Sequence, residues 1–374
     1  MRILFCLFAC TLICCQSPKS AEAPSLTPKI LAIMTQNAEP VLADSLISAL
    51  SVGVFYEGEK YSLHLGSLDE GKNNPPTDNT LYEIASVSKT MVGLLLAQAE
   101  AEGKLSIEDD IRTHMQGDFP NLNYEGQPIK IKHLMTHTSR LPRFLPVSIN
   151  ALFDNIDETL PFRIAEIENA YSREQFFTDL KGVEIDTLAG TIYEYSNADT
   201  EIAAHILEQI YQTPFDELLQ TYLAKTAEMS NTAVILDKQQ SQNLAKGYGI
   251  NRIPVPNMTI KLWGGAGGIK SNMPDLLQYM ELQCNEQNPV VAKTHQPLYE
   301  GHLGYFWVLD EDSTYGHFVR HHGGAFGAQN WMFVFPEAGL GISVITNQSD
   351  LETADKLHDI VQGILTDLKA LPAQ

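Results

Sequence analysis

The sequence predicts an α+β fold, because strand-forming segments lie near both ends of the chain and helices fill its middle. The 374 residues are 44% hydrophobic and 19% charged, which is typical of a globular protein and too apolar for a disordered one. The chain shows no internal repeat and no low-complexity tract. This pattern favours one half assembled from both termini, with a helical insertion packed against it.

The predicted elements follow from the spacing of apolar residues. Six segments have the alternation or the short apolar run of a strand: 49–56, 60–65, 304–309, 317–321, 330–335 and 341–346. Four segments have the spacing of a helix with one apolar face: 86–102, 201–211, 215–227 and 351–369. The stretch 107–245 is predicted to be mostly helical, with breaks at proline and glycine.

Acidic residues outnumber basic ones in this chain. It has 25 Lys and Arg against 46 Asp and Glu, which gives a formal net charge of −21. Such a chain has no cationic excess to displace counterions from phosphates, which argues against nucleic-acid binding. The same charge disfavours attachment to an anionic membrane by electrostatics alone.

The first fifteen residues have the form of an export signal. Arg2 precedes an apolar run over 3–15, which is too short to span a membrane. The end of this run resembles a bacterial lipoprotein box with Cys15 as the lipid-bearing residue; Cys10 is a second candidate, and a plain signal peptide is the alternative. We predict a signal peptide over 1–15, a tether over 16–30 and an exported, lipid-anchored protein of the bacterial cell envelope or periplasm. Beyond residue 15 only Cys284 remains, which excludes an internal disulfide framework and a cysteine zinc site.

The first candidate chemical group is the segment Ser86-Val87-Ser88-Lys89. The i, i+3 spacing places Ser86 and Lys89 on the same face of a helix, one turn apart. A serine hydroxyl needs a base to become a nucleophile, and a buried lysine with a lowered pKa is such a base. The alternative is a helix that Ser86 caps and in which Lys89 is solvated.

The second candidate group is Tyr195-Ser196-Asn197, which precedes a predicted helix. A phenol near a lysine ammonium has its pKa lowered and passes protons. The amide of Asn197 offers both a donor and an acceptor to a substrate amide. The alternative is a tyrosine packed on the core and an asparagine that caps the next helix.

The third candidate group is His321-His322-Gly323-Gly324 at the end of a predicted strand. The glycines allow a substrate to approach the strand backbone closely. The backbone N–H groups of Gly324 and Ser86 are together a candidate oxyanion hole.

In this order the three groups resemble the serine β-lactamase and penicillin-binding peptidase superfamily. The match is closest to its class C β-lactamase-like branch, which includes DD-carboxypeptidases, esterases and D-amino-acid peptidases. Three further stretches agree with it: 103–110 (GKLSIEDD), 134–139 (LMTHTS, like the LLTHTSGLP of the branch) and 264–271 (GGAGGIKS). The resemblance runs from about residue 51 to residue 347.

The resemblance implies an antiparallel sheet flanked by helices, a mainly helical subdomain and an active site between them. We therefore expect a single catalytic domain over 31–374. Its helical subdomain would cover about 81–245, and its α/β subdomain would combine 31–80 with 246–374.

The resemblance also implies a mechanism and its residues. Ser86 attacks a carbonyl carbon to form an acyl-enzyme, while Lys89 and Tyr195 manage its proton. The implied substrate-binding residues are Asn197, His321, Gly323 and Gly324. His321 would also bridge to Tyr195. The family uses no metal and no organic cofactor, so the expected partner is a small-molecule or peptide substrate.

Two departures from the family pattern bear on the substrate. Arg140 stands where the family usually has glycine in HTSGLP, which puts the shape of that loop in doubt. The third group begins with His321, where class C β-lactamases carry the lysine of Lys-Thr-Gly. Because histidine is mostly neutral at pH 7, it would hold a substrate carboxylate less firmly. We therefore expect a peptidase- or esterase-like hydrolase of amide or ester bonds.

Other functions remain as alternatives. One is a true β-lactamase, and another is a non-catalytic, lipid-anchored binding protein on the same scaffold. A metalloenzyme is a weaker alternative, drawn from His133, His137, His317, His321 and His322. An α/β-hydrolase is excluded, because the chain contains no Gly-x-Ser-x-Gly segment.

Overall fold

A seven-stranded antiparallel sheet is the centre of the fold in the computed structural model, which describes residues 26–43, 46–258 and 262–371. The strands are β1 Ala49–Tyr56, β2 Glu59–Gly66, β3 Tyr82–Glu83, β4 Asn123–Tyr124, β5 Gln127–Pro128, β6 Lys270–Ser271, β7 Leu303–Gly304, β8 Trp307–Asp312, β9 Gly316–Ala325, β10 Ala328–Phe335 and β11 Leu340–Thr346. The sheet order is β2-β1-β11-β10-β9-β8-β7, so strands from both ends of the chain meet at the β1–β11 pair. The predicted assembly of the sheet from both termini is confirmed.

Helices cover both faces of the sheet and fill the region beside it. They are α1 Thr27–Ala38, α2 Ser88–Ala101, α3 Ile131–Met135, α4 Leu160–Ala170, α5 Arg173–Leu180, α6 Asn197–Tyr211, α7 Phe215–Ala227, α8 Gln240–Asn243, α9 Met273–Cys284, α10 Pro289–Thr294 and α11 Thr353–Lys369. On one face, α1 and α11 pack together over the buried residues Val52 and Val344. On the other face, α9 packs on β1 and β11. Within the described ranges, no helix has the length and apolarity needed to cross a bilayer.

The helical region meets the sheet along β9. A 3₁₀ turn, Ala85–Val87, packs against this strand and leads directly into α2. Behind it, α2 packs on α6 and on the glycine-rich turn Gly264–Gly268. The α+β class, the flanked antiparallel sheet and the helical region are therefore as expected, whereas the subdomain boundaries stay a prediction.

Several boundaries differ from the prediction. The tether predicted over 16–30 extends too far, because α1 begins at Thr27 and Ile30 is fully buried. The strand predicted over 304–309 is two strands, because Tyr305 and Phe306 have left-handed φ values of 50° and 68°. The predicted signal peptide, with Cys10 and Cys15, lies outside the described residues.

Candidate active site

Ser86 lies on the 3₁₀ turn that precedes α2, with its side chain partly exposed. Ala85 before it has a left-handed φ of 47°, an uncommon conformation for a residue with a side chain. No side-chain hydrogen bond caps α2, and Lys89 one turn later is completely buried. The alternative of a capping serine and a solvated lysine is therefore wrong.

The amine of Lys89 has three oxygen neighbours. Its Nζ donates to Asn197 Oδ1 at 2.8 Å and to the carbonyl oxygen of Ala266, and it lies 3.3 Å from Ser86 Oγ. Burial lowers the pKa of Lys89 to about 7. In the neutral amine, two N–H groups serve Asn197 and Ala266, so the lone pair is left for the hydroxyl of Ser86.

The phenol of Tyr195 lies on the other side of the same hydroxyl. Tyr195 Oη is 2.7 Å from Ser86 Oγ, and Lys89 Nζ is 5.0 Å from the centroid of its ring. Burial raises the pKa of Tyr195 to about 12, so the expectation of a lowered pKa is wrong. The neutral phenol is therefore a proton donor rather than a standing anion.

The start of α6 fixes Tyr195 and Asn197 in place. Between them, Ser196 Oγ accepts from the N–H of Asp199 at 3.2 Å and donates to the carbonyl oxygen of Pro142 at 2.8 Å. The backbone N–H of Asn197 donates to the carbonyl oxygen of Arg143 at 2.9 Å. This cap is the local reason why Tyr-Ser-Asn aims two side chains at the nucleophile.

The loop that carries Arg140 keeps a glycine-like conformation. Arg140 has a φ of 69°, in the region that glycine adopts most readily. Its guanidinium donates to Asp186 at 2.9 Å and to Glu194 at 2.6 Å. The departure from the family glycine thus leaves the turn in place and adds two ion pairs next to Tyr195.

A buried polar group supports the ring of Tyr195 from behind. The rings of His137 and Tyr195 have their centroids 4.5 Å apart. The Nδ1 atom of His137 accepts from the N–H of Ser196 at 3.3 Å and faces Asp199 Oδ2 at 3.1 Å. Because Nδ1 is thus an acceptor, Asp199 holds the proton, in line with the burial that raises its pKa well above the usual value. His137 is a positioning residue here.

His321 faces the cleft from β9 as a neutral ring. Its Nδ1 donates to the carbonyl oxygen of Phe306 at 2.8 Å, and burial lowers its pKa to about 3. In the described part of the chain, no hydrogen bond joins it to Tyr195, so the expected bridge between these two side chains is absent. The neighbouring ring of His322 bonds Gln329 at 2.7 Å.

Gly323 allows β9 to lie against the nucleophile turn. A Cβ atom at this position would be 2.3 Å from the carbonyl oxygen of Ile84 and 3.3 Å from the backbone nitrogen of Val87. Only glycine fits there, and this close approach brings Gly324 and Ser86 to the same part of the cleft. Gly323 therefore permits this backbone packing, and its contact with a substrate stays a prediction.

The cleft in front of Ser86 is large and mostly apolar, with a volume of about 1000 Å³. Its apolar lining includes Phe144, Phe153, Leu160, Ile164, Trp263 and Phe326. Arg143 lies over the ring of Phe153, with its guanidinium carbon 5.0 Å from the centroid. Such a cleft has room for a bulky apolar group beside the reacting carbonyl.

Two cleft carboxyl groups were missed by the sequence reasoning. Burial raises the pKa of Glu83 to about 7 against the opposing effect of Lys270, and burial together with Glu83 raises that of Glu168 to about 7. Glu83 lies three residues before Ser86, which is the one sequence signal that pointed to it. Nothing near Glu168 in the sequence indicates that α4 turns it toward the cleft.

The five histidines of the metalloenzyme alternative have separate partners. The Nδ1 atom of His133 accepts from the N–H of Lys130 at 3.1 Å, and His317 lies at the opposite end of β9 from His322. The structure therefore does not bring this set together.

Comparisons with known proteins identify the family of this chain. The family model described as Beta-lactamase matches residues 34–364. A β-lactamase of Providencia stuartii is 26% identical over 270 residues, which are 72% of this chain and 63% of that protein. Protein flp of Staphylococcus aureus strain MRSA252 is 23% identical over 295 residues, 75% of this chain and 56% of the relative. The chain thus spans less than two thirds of the length of these two relatives.

Solved structures share the fold. A β-lactamase/D-alanine carboxypeptidase from Yersinia pestis, complexed with citrate, superposes with a TM-score of 0.74 at 22% identity, over 92% of this chain and 99% of that one. The enzyme of the same description from Pseudomonas syringae superposes with a TM-score of 0.76 at 20% identity, over 92% of this chain and 100% of that one. The match of the family model over most of the chain shows that the protein belongs to the Beta-lactamase family.

Proposed function

We propose that the protein cleaves amide or ester bonds through an acyl-enzyme on Ser86. The observation that supports this proposal is the group of hydrogen-bonded side chains around Ser86 at the base of the cleft. Ser86 Oγ contacts a buried amine and a neutral phenol at once, and Asn197 holds that amine. These are the groups that activation of a serine and protonation of a leaving group require.

In the first step, Ser86 Oγ attacks the carbonyl carbon and its proton passes to the neutral Lys89. The new C–O bond moves an electron pair onto the carbonyl oxygen, and the N–H groups of Ser86 and Gly324 hold this oxyanion. A lysine pKa of about 7 gives a substantial fraction of free base at neutral pH.

In the second step, the tetrahedral intermediate collapses and the bond to the leaving nitrogen or oxygen breaks. Tyr195 donates its proton to the leaving atom, and the ammonium of Lys89 returns a proton to the phenol. Water then attacks the acyl-enzyme by the reverse sequence and frees Ser86.

The substrate that fits best is an ester or amide with an apolar group, as in esterase-, DD-peptidase- or D-aminopeptidase-like enzymes. The neutral His321 supplies no positive charge for a substrate carboxylate from β9. Arg143 in the helical wall is the candidate cation for an anionic group of a substrate. Phe144 and Phe153 stack with centroids 5.3 Å apart and form an apolar wall.

A true β-lactamase is the second candidate, and the relatives named β-lactamase from Providencia stuartii and Pseudomonas fluorescens favour it. A non-catalytic binding protein is disfavoured, because such a protein has no need of a buried lysine held next to a serine hydroxyl.

A hydrolysis panel tests the proposal. The panel comprises p-nitrophenyl esters, a D-Ala-D-Ala peptide, a D-amino-acid amide and nitrocefin. We expect ester or peptide turnover that Ser86→Ala lowers at least about 10³-fold, together with loss of labelling by a fluorophosphonate. Ser88→Ala is the matched control, because the buried hydroxyl of Ser88, at the start of α2, has no hydrogen-bond partner among the described residues. Full activity in Ser86→Ala would refute the mechanism, and rapid nitrocefin turnover would favour the β-lactamase.

We also propose that the protein is exported and lipid-anchored through Cys15, on the form of its first fifteen residues. Labelling of cells with a radioactive fatty acid is the test. The label should appear in the wild type and disappear in Cys15→Ser, while Cys10→Ser should retain it. A label that persists in Cys15→Ser would show that Cys15 is not the lipid-bearing residue.

A further inference from the structure

A second cluster of ligand-type side chains lies outside the catalytic cleft. Glu286 follows α9, His295 follows α10, and His317 lies at the start of β9. One ligating atom from each of them lies within 4.8 Å of the other two. Glu286 Oε1 is 2.7 Å from His295 Nδ1 and 2.9 Å from His317 Nε2. Three separate elements thus bring two imidazoles and a carboxylate to one point.

The outer nitrogen of each ring is already engaged by an oxygen. His295 Nε2 lies 2.9 Å from Gln283 Oε1, and His317 Nδ1 lies 2.8 Å from Glu337 Oε1. Because these oxygens are acceptors, each outer nitrogen carries a proton. The inner nitrogen of each ring lies within hydrogen-bond distance of Glu286, so it is the atom that would exchange its proton for a metal ion. Metal-binding histidines in proteins are held in this way by an oxygen behind the ring.

The cluster is open to solvent on one side. The side chain of His295 is 2% exposed, whereas those of Glu286 and His317 are 30% and 32% exposed. An ion can therefore reach the cluster past Glu286 and His317.

The backbone of β9 is shaped to hold the second carboxylate. Gly316 has a φ of 78°, and a Cβ atom there would be 2.4 Å from Glu337 Oε2. A glycine at this position therefore allows Glu337 to lie against the strand and to fix the ring of His317.

We propose that Glu286, His295 and His317 bind a divalent transition-metal cation of the zinc class. Two histidines and one glutamate, with water as the fourth ligand, are a known zinc ligand set. The cation would tie α9 and α10 to the start of β9. The ring of Trp307 packs edge-on against His295 at 6.4 Å and against His321 at 6.5 Å. Because His317 and His321 are four residues apart, about 13 Å along the strand, the cation braces β9 and stays out of the reaction.

Metal titration of the untagged, chelator-treated protein tests this proposal. Calorimetry with Zn²⁺ should show about one ion bound per chain, with release of a proton. Excess Zn²⁺ should raise the unfolding midpoint by about 4 °C. The Co²⁺ form should show the strong visible absorption of a tetrahedral site.

Variants at the two more accessible ligands test whether Zn²⁺ binds at this cluster. Glu286→Gln and His317→Gln should each weaken Zn²⁺ binding at least about 100-fold. His114→Gln is the matched control, because His114 also lies 2.8 Å from a carboxylate, that of Asp109, and forms no such cluster. Wild-type affinity in both ligand variants, or a Co²⁺ form without tetrahedral absorption, would refute the metal site and leave a shared-proton ion pair. The cobalt spectrum of the wild type decides the question even where a variant fails to fold.

Discussion

The cleft has a helical wall, which carries Lys89 of α2 and Glu168 of α4, and a sheet wall, which is β9 with His321. The two walls differ in how their groups hold protons near neutral pH. On the helical wall, burial lowers the pKa of Lys89 to about 7 and raises that of Glu168 to about 7. On the sheet wall, burial lowers the pKa of His321 to about 3, so its ring stays neutral above about pH 4. Proton transfer therefore belongs to the helical wall, whereas the sheet wall supplies shape and backbone hydrogen bonds.

The largest expected effect on activity comes from removal of the base on the helical wall. Lys89→Met keeps the length of the side chain but removes the base, so we expect kcat to fall about 10³-fold. In the wild type, the rate should rise with pH through about 7, because only the neutral amine accepts the proton of Ser86. Steady-state pH profiles check both points. Lys60→Met, at a partly exposed lysine of β2, should keep the wild-type rate and profile.

The next largest effect comes from a displacement of the β9 backbone on the sheet wall. The Cβ of Gly323→Ala would overlap the carbonyl oxygen of Ile84, so β9 must move away from the 3₁₀ turn. Displacement of Gly324 from the oxyanion should lower kcat about 100-fold with a smaller change in KM. Gly182→Ala is the control, because Gly182 is exposed and its added Cβ would make one contact at 3.3 Å. Unchanged kcat in Gly323→Ala would show that the sheet wall tolerates a shift.

Local signals predicted the helical side of the site well. The spacing placed Ser86 and Lys89 one turn apart, although α2 itself begins at Ser88. The residue that caps α6 is Ser196 and not the asparagine of the alternative interpretation. The strands of the sheet were equally visible, because β1, β10 and β11 are nearly continuous apolar runs.

Long-range contacts explain what the sequence did not reveal. The direction of the pKa shift of Tyr195 depends on burial, which no local pattern reports. The pairing of Glu83 with Glu168 joins residues 85 positions apart, and the cluster of Glu286 and His317 joins two elements on either side of α10. The helix α1 was missed although its segment 30–34 (ILAIM) is apolar, because the predicted tether was extended through residue 30.

A smaller effect is expected on substrate preference when the sheet wall is given a positive charge. His321→Lys would place a cation on the sheet wall, where class C β-lactamases have lysine. We expect kcat/KM for a D-Ala-D-Ala peptide to rise about tenfold relative to that for a neutral p-nitrophenyl ester, through a lower KM for the carboxylate substrate. Kinetics on the two substrates measure this ratio. A ratio that does not change would mean that Arg143 already holds the carboxylate.

The effect with the least influence on activity is a pH dependence of stability that arises from Glu83. Because desolvation raises its pKa to about 7 in the folded state, Glu83 keeps its proton between its usual pKa of 4.5 and about 7, while the unfolded chain releases it. The contribution of Glu83 to stability is therefore complete below pH 4.5 and is lost as the pH rises through about 7. Glu83→Gln keeps the oxygen that accepts from the N–H of Met258 and does not titrate. The variant should match the wild type at pH 4.5 and gain about 3 kcal/mol relative to it at pH 8, measured by urea unfolding. If the free energies of unfolding of the two proteins differ by the same amount at every pH in this range, Glu83 does not titrate there. The cleft groups that change charge would then be Lys89 and Glu168.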